Sequence, residues 1–178
     1  MDWHPHLFVE PHVVAFVAVA KDYSPAPARF DVSCDNVASR WLGNASECRL
    51  EVWWHNDTAA QAERLRTTMQ SGPLVEMASV ALALILAKRV VPLGRLEVLD
   101  YGARADYQVR KRKLVLEISG TEVPAELGRR HREKVAQARD NPYGWDAYVV
   151  VCAFSCAGHR IRFSKHSVQE TGNGERDR

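Results

Sequence analysis

Two acidic residues, Asp106 and Glu117, stand eleven positions apart on either side of a basic run, Arg110-Lys111-Arg112-Lys113. Residues 105–109 and 114–119 both have strand character, and the basic run between them makes a plausible hairpin turn. A hairpin can bring carboxylates from adjacent strands within a few ångströms of each other. Such a pair repels unless a cation sits between the two groups. Alternation along Leu114–Ser119 puts Leu114, Leu116 and Ile118 on one face and Val115, Glu117 and Ser119 on the other. A glutamate set among apolar neighbours near a strand end must find a partner. An oxygen-rich site built from Asp106 and Glu117 suits Mg2+ or Mn2+. A strand-end ion pair from Glu117 to Lys134 or Arg130 would explain the same residues without catalysis.

The elements that must position these groups follow from patterning. Residues 13–19 are apolar and rich in Val and Phe, and read as a strand; residues 30–34 and 49–55 read as two more. The N-terminal third is therefore expected to be a small antiparallel meander. A polar helix is expected over 58–70 and a helix apolar almost all round over 74–90, ended by Pro92-Leu93-Gly94. Strands are expected at 96–101, 105–109 and 114–119, a helix at 125–139, and strands at 148–154 and 159–163. A helical crossover between 114–119 and 148–154 favours a parallel pairing of those strands, and the short turn before Leu114 favours an antiparallel one. The fold class is α/β, a mixed central sheet flanked by helices. Its parts are a β-rich N-terminal extension over 1–57, a core over 58–166 and a polar, disordered tail over 167–178.

This order of elements, with Ala105-Asp106, Leu116-Glu117-Ile118-Ser119 and Glu76 near the start of the apolar helix, resembles the PD-(D/E)XK nuclease superfamily over about half of the chain. The resemblance implies a restriction-endonuclease-like core and metal-dependent cleavage of phosphodiester bonds in DNA. Asp106, Glu117 and the Ile118 carbonyl would hold the metal, and Glu76 and Gln137 would support these ligands or hold a second metal. The family's usual lysine is replaced by Ser119. Lys134, on the following helix, is the candidate substitute, with Gln137 one turn further on. The implied setting is a nuclease subunit or effector of a defence or mobile-element system, targeted by a second copy or by a protein partner. The loss of the lysine leaves a second reading, a catalytically inactive subunit that binds nucleic acid or partner proteins.

Composition sets the bounds. The chain has 178 residues, 46% of them apolar and 26% charged, which excludes a disordered or collagen-like chain and a disulfide scaffold. The net charge of +2 is uninformative, but its distribution is not: residues 101–140 hold ten Lys+Arg against six Asp+Glu. Arg110 to Lys113, together with Arg129, Arg130 and Arg132, could meet a phosphate backbone; solvated surface explains either run alone. Cys152, Cys156 and His159 lack the second ligand pair of a structural zinc site, so the four cysteines are read as free thiols in a reducing cytoplasm. No secretory leader or membrane span is expected. Trp53 and Trp54 could stack on bases, but alternation buries at least one of them. Ser155, His159 and Asp146 form no convincing nucleophile arrangement.

Overall fold

The computed structural model describes residues 10–24, 26–35, 46–90, 97–99 and 105–167. The expected tail, from residue 168 on, lies outside them. In chain order the elements are α1 (Glu10–Tyr23), β1 (Ala28–Asp35), β2 (Glu47–Val52), α2 (Asn56–Thr68), α3 (Ser71–Val90), β3 (Glu97–Val98), β4 (Tyr107–Val109), β5 (Leu114–Thr121), α4 (Leu127–Arg139), β6 (Asp146–Ala153) and β7 (His159–His166). The strands form one mixed sheet in the order β2-β1-β7-β6-β5-β4-β3. The fold is α/β with helices on both faces.

The centre of the sheet follows from chain connectivity. β4 and β5 are joined by a tight 3₁₀ turn over Arg110–Arg112, closed by Lys113 in the left-handed region (φ 48°), and pair antiparallel. The α4 crossover makes β5 and β6 parallel, as a helical connection of that length requires. β6 and β7 return as an antiparallel pair through a short turn at Gly158. β5 is buried along its whole length because both of its faces are covered. Leu114, Leu116 and Ile118 lie on the α3 side of the sheet, whereas Val115, Val149 and Val151 face α4.

One expectation is corrected. Residues 13–19, expected as a strand, belong to helix α1. The run Ala15–Ala20 is buried all round between the sheet, α2 and α3, so no exposed face marks a helical period, and the β-branched content tips the reading toward strand. The antiparallel pair β1–β2 is present. It extends the main sheet, because β1 also lies parallel to β7, with Phe30 beside His159.

Candidate functional site

β4 is only three residues long, and its shortness makes the site. Tyr107 pairs with Leu116, and the Asp106 amide donates to the Leu116 carbonyl at 3.2 Å. The ladder ends there, and the Asp106 carboxylate lies close enough to act on both Glu117 and Lys134. Past Leu116, no described strand covers this edge of β5. The N–H and C=O of a strand residue point the same way, so the groups of Ile118 and Gly120 emerge on the open edge. Side chains take the place of the missing strand. Asp106 Oδ2 accepts from the Ile118 amide at 2.6 Å. Glu76 accepts a backbone hydrogen bond from Gly120, and Arg130 Nη1 donates to the Gly120 carbonyl at 3.0 Å. The Ile118 carbonyl lies on the same edge, between the two carboxylate-capped amides.

Gly120 also explains why Glu76 can reach this edge. A Cβ at position 120 would stand 2.7 Å from the Val75 carbonyl oxygen and would overlap the Ser79 hydroxyl. Only a glycine lets α3 press so closely on β5. That contact carries Glu76, the residue after Val75, to the strand edge, where the Ser119 hydroxyl donates to Glu76 Oε1 at 3.5 Å. The sequence singled out Glu76 but not the glycine that seats it.

Glu117 is fully buried. Its Oε1 is ion-paired with Lys134 Nζ, which descends from α4, and its Oε2 has no hydrogen-bond partner. Burial, then the neighbouring Asp106 charge, pushes the Glu117 carboxyl up to about 7, against the pull of Lys134 and, after it, the Asp106 backbone amide. Burial likewise raises Asp106 and Glu76, although the Ile118 and Gly120 amides and then Lys134 act to lower them. For Lys134, burial acts to lower the amine, but Glu117, Asp106 and Glu76 outweigh it and hold the ammonium charged. Three acids therefore share the Lys134 ammonium, and Arg130, itself paired with Glu126 at 2.9 Å, acts on Glu76 alone of the three. Acids outnumber cations at this centre.

The structure brings together Asp106, Glu117, the Ile118 backbone, Lys134 and Glu76. It does not bring Gln137, which is exposed and hydrogen-bonds to none of these acids. The basic residues divide. Lys111, Arg112 and Lys113 are exposed at the hairpin tip, and Arg110 there binds Glu97 at 3.1 Å. Lys113 is about 13 Å along β5 from Glu117, taking ~3.3 Å per residue. Arg129 is held by Glu126 and Glu133 at 3.2 and 2.7 Å, while Arg132 is exposed. Trp54 packs edge-on against Phe16, and Trp53 is 70% exposed. The His159 ring lies against Phe30 and bonds to Ser24, a core histidine.

The donor set fits a divalent cation. Two carboxylates and a carbonyl are hard oxygen donors, the site has a negative excess, and the buried Glu117 Oε2 lacks the partner such an atom requires. Among the described residues, no group of three or more His, Cys, Asp or Glu side chains is placed to hold a metal ion, so the backbone carbonyl would have to complete the set.

No helix of the described residues is long and apolar enough to cross a membrane. Compared with known proteins, the chain matches no family model, no curated protein and no solved structure.

Proposed function

We propose that this chain is a metal-dependent endonuclease that cleaves phosphodiester bonds in DNA, with its centre at the open edge of β5. The observation that carries the reading is the buried, half-satisfied Glu117 between Asp106 and Lys134. When bound, Mg2+ or Mn2+ would supply Lewis-acid polarisation of a phosphodiester oxygen and a more acidic water. Asp106, Glu117 and the Ile118 carbonyl would hold it. Binding requires the ionised carboxylate, so Glu117 gives up its proton on loading. Lys134, no longer the sole counter-charge of Glu117, is then available to oppose negative charge developing on the phosphate. Glu76, fixed by the Gly120 amide and Ser119, keeps α3 against this edge and adds to the negative field that draws the cation. Cleavage of both strands, and targeting, would call for a second copy or a protein partner.

The test is nicking of supercoiled plasmid with Mg2+ or Mn2+. Glu117→Gln, which keeps shape and folding, should lower the rate at least about a hundredfold. Activity that persists in this variant rejects the proposal. A second reading, a nuclease-like subunit that binds nucleic acid or partner proteins without cutting, is favoured by Ser119, which stands in the lysine's place and bonds to Glu76. It predicts salt-sensitive binding that survives Asp106→Ala, and no metal-dependent nicking by the wild type.

A further inference from the structure

Strand register carries a second polar group under the same helix. Glu117 on β5 pairs with Val149 on β6, and Val149 with Ser164 on β7. Paired residues share a face, so α4 sits over a row whose two ends are polar, about 10 Å apart across two strand spacings. Lys134 descends on one end and His131, three residues earlier on α4, descends on the other. His131 Nε2 and His166 Nε2 each lie 2.8 Å from the Ser164 hydroxyl. That hydroxyl has one proton, so it can donate to at most one of the two rings, and both rings are engaged through Nε2.

Beside this bridge is a cavity of about 360 Å³ between α4 and the end of β7, lined by His131, Arg132, Val135, Ala136, Arg139 and His166. Every polar side chain in that lining is a guanidinium or an imidazole. Arg132 and Arg139 have no carboxylate partner among the described residues. Asp35, which acts on both histidines, is itself paired with Arg162 at 3.4 Å. We infer that this cavity is a binding site for a phosphate group, distinct from the Asp106–Glu117 centre. Two guanidinium forks offer a tetrahedral oxyanion several directed donors at once, which a halide would leave partly unused. The surroundings agree. Burial, then Arg162, holds the His131 ring down at about 4, with His166 and Arg132 adding to this and Asp35 opposing it. Burial, then Arg139, lowers His166, again against Asp35. Burial is the larger cause for both rings, and an anion would oppose only the smaller part that comes from the guanidinium charges.

The site does not depend on the endonuclease reading, and its test excludes metal. With EDTA present, inorganic phosphate is titrated into the full chain near neutral pH and followed by NMR of the imidazole signals. Saturable binding is expected, with His166 titrating at higher pH when phosphate is bound. Arg132→Ala and Arg139→Ala should each weaken binding about tenfold, the loss of one charge-assisted contact. Arg64→Ala, on the exposed side of α2, should leave it unchanged. Equal affinity in wild type and both cavity variants, or no saturation, overturns the site. Competition separates the sources: displacement only by a 5′-phosphorylated dinucleotide identifies a terminal phosphate, and displacement by the 5′-hydroxyl dinucleotide as well identifies chain phosphates.

Discussion

Lys134→Met removes the ammonium above Glu117 while keeping most of the stem that packs on the sheet. In the wild type the Glu117 carboxyl lies near 7 against an ordinary 4.5. At 1.36 kcal/mol per unit, ionising it in the folded protein costs on the order of 3 kcal/mol. The folded state therefore holds this proton more tightly than the unfolded chain. The site's contribution is fully favourable below about 4.5 and is lost as pH rises through about 7. Taking away Lys134 raises the carboxyl further. At about pH 8, one unit above the wild-type value, the variant can escape burying an unpaired charge by taking up a proton at about 1.4 kcal/mol, so we expect a loss of about 1–2 kcal/mol. This is below the usual range for breaking a buried pair, because the proton is available and the Lys134 side chain is 23% exposed. At about pH 5, where Glu117 is protonated in both proteins, the loss should fall below about 1 kcal/mol. Urea unfolding with EDTA at the two pH values measures the difference, and Lys134→Met with Glu117→Gln should recover most of the alkaline loss. An equal loss at both pH values, or a larger one at about pH 5, would refute the picture of a buried carboxylate short of counter-charge. The comparison must be between variants. His131, held down at about 4, works in the opposite sense and costs stability as pH falls below about 6.5, which flattens the wild-type profile.

Asp106→Asn keeps an acceptor for the Ile118 amide but removes the charge facing Glu117. The metal-free protein should gain about 1 kcal/mol at about pH 8 in urea unfolding, while Mn2+ binding, followed by paramagnetic relaxation, should be lost. Gly120→Ala forces a methyl group against the Val75 carbonyl and should cost at least ~2 kcal/mol in the same assay. A neutral result would contradict the close seating of α3.

The pairing of β4 with β5, the crossover through α4 and the meeting of Asp106, Glu117 and Lys134 could be read from residue order, because each rests on local patterning and one short turn. Two things could not. The α1 run carries no period, since its burial comes from tertiary neighbours that lie far away in the chain. The His131–Ser164–His166 bridge depends on register across three strands, and register appears only when the strands are paired. Gly120 fell between these cases. A glycine inside a strand signals close approach, but which element approaches is fixed by packing alone. The basic hairpin run was legible as a turn, yet its distance from Glu117 followed only from counting residues along β5 once the turn had been placed.

The cost of this centre argues for a ligand more strongly than its residue types do. Asp106, Glu117 and Glu76 are all shifted against ionisation, and one buried oxygen is left without a partner. An apolar side chain of similar volume at 117, packed beneath α4 beside Val115 and Val149, would remove that burden and stabilise the sheet. Folding alone therefore gives no reason for a glutamate there. The same helix that covers it carries His131 over Ser164 and exposes Arg132 and Arg139 beside them. The face of α4 thus divides into an end short of positive charge and an end short of negative charge, about 10 Å apart. On the two proposals made above, a cation and a phosphate are complementary to the two ends, and a polynucleotide strand with a divalent ion would bring both together.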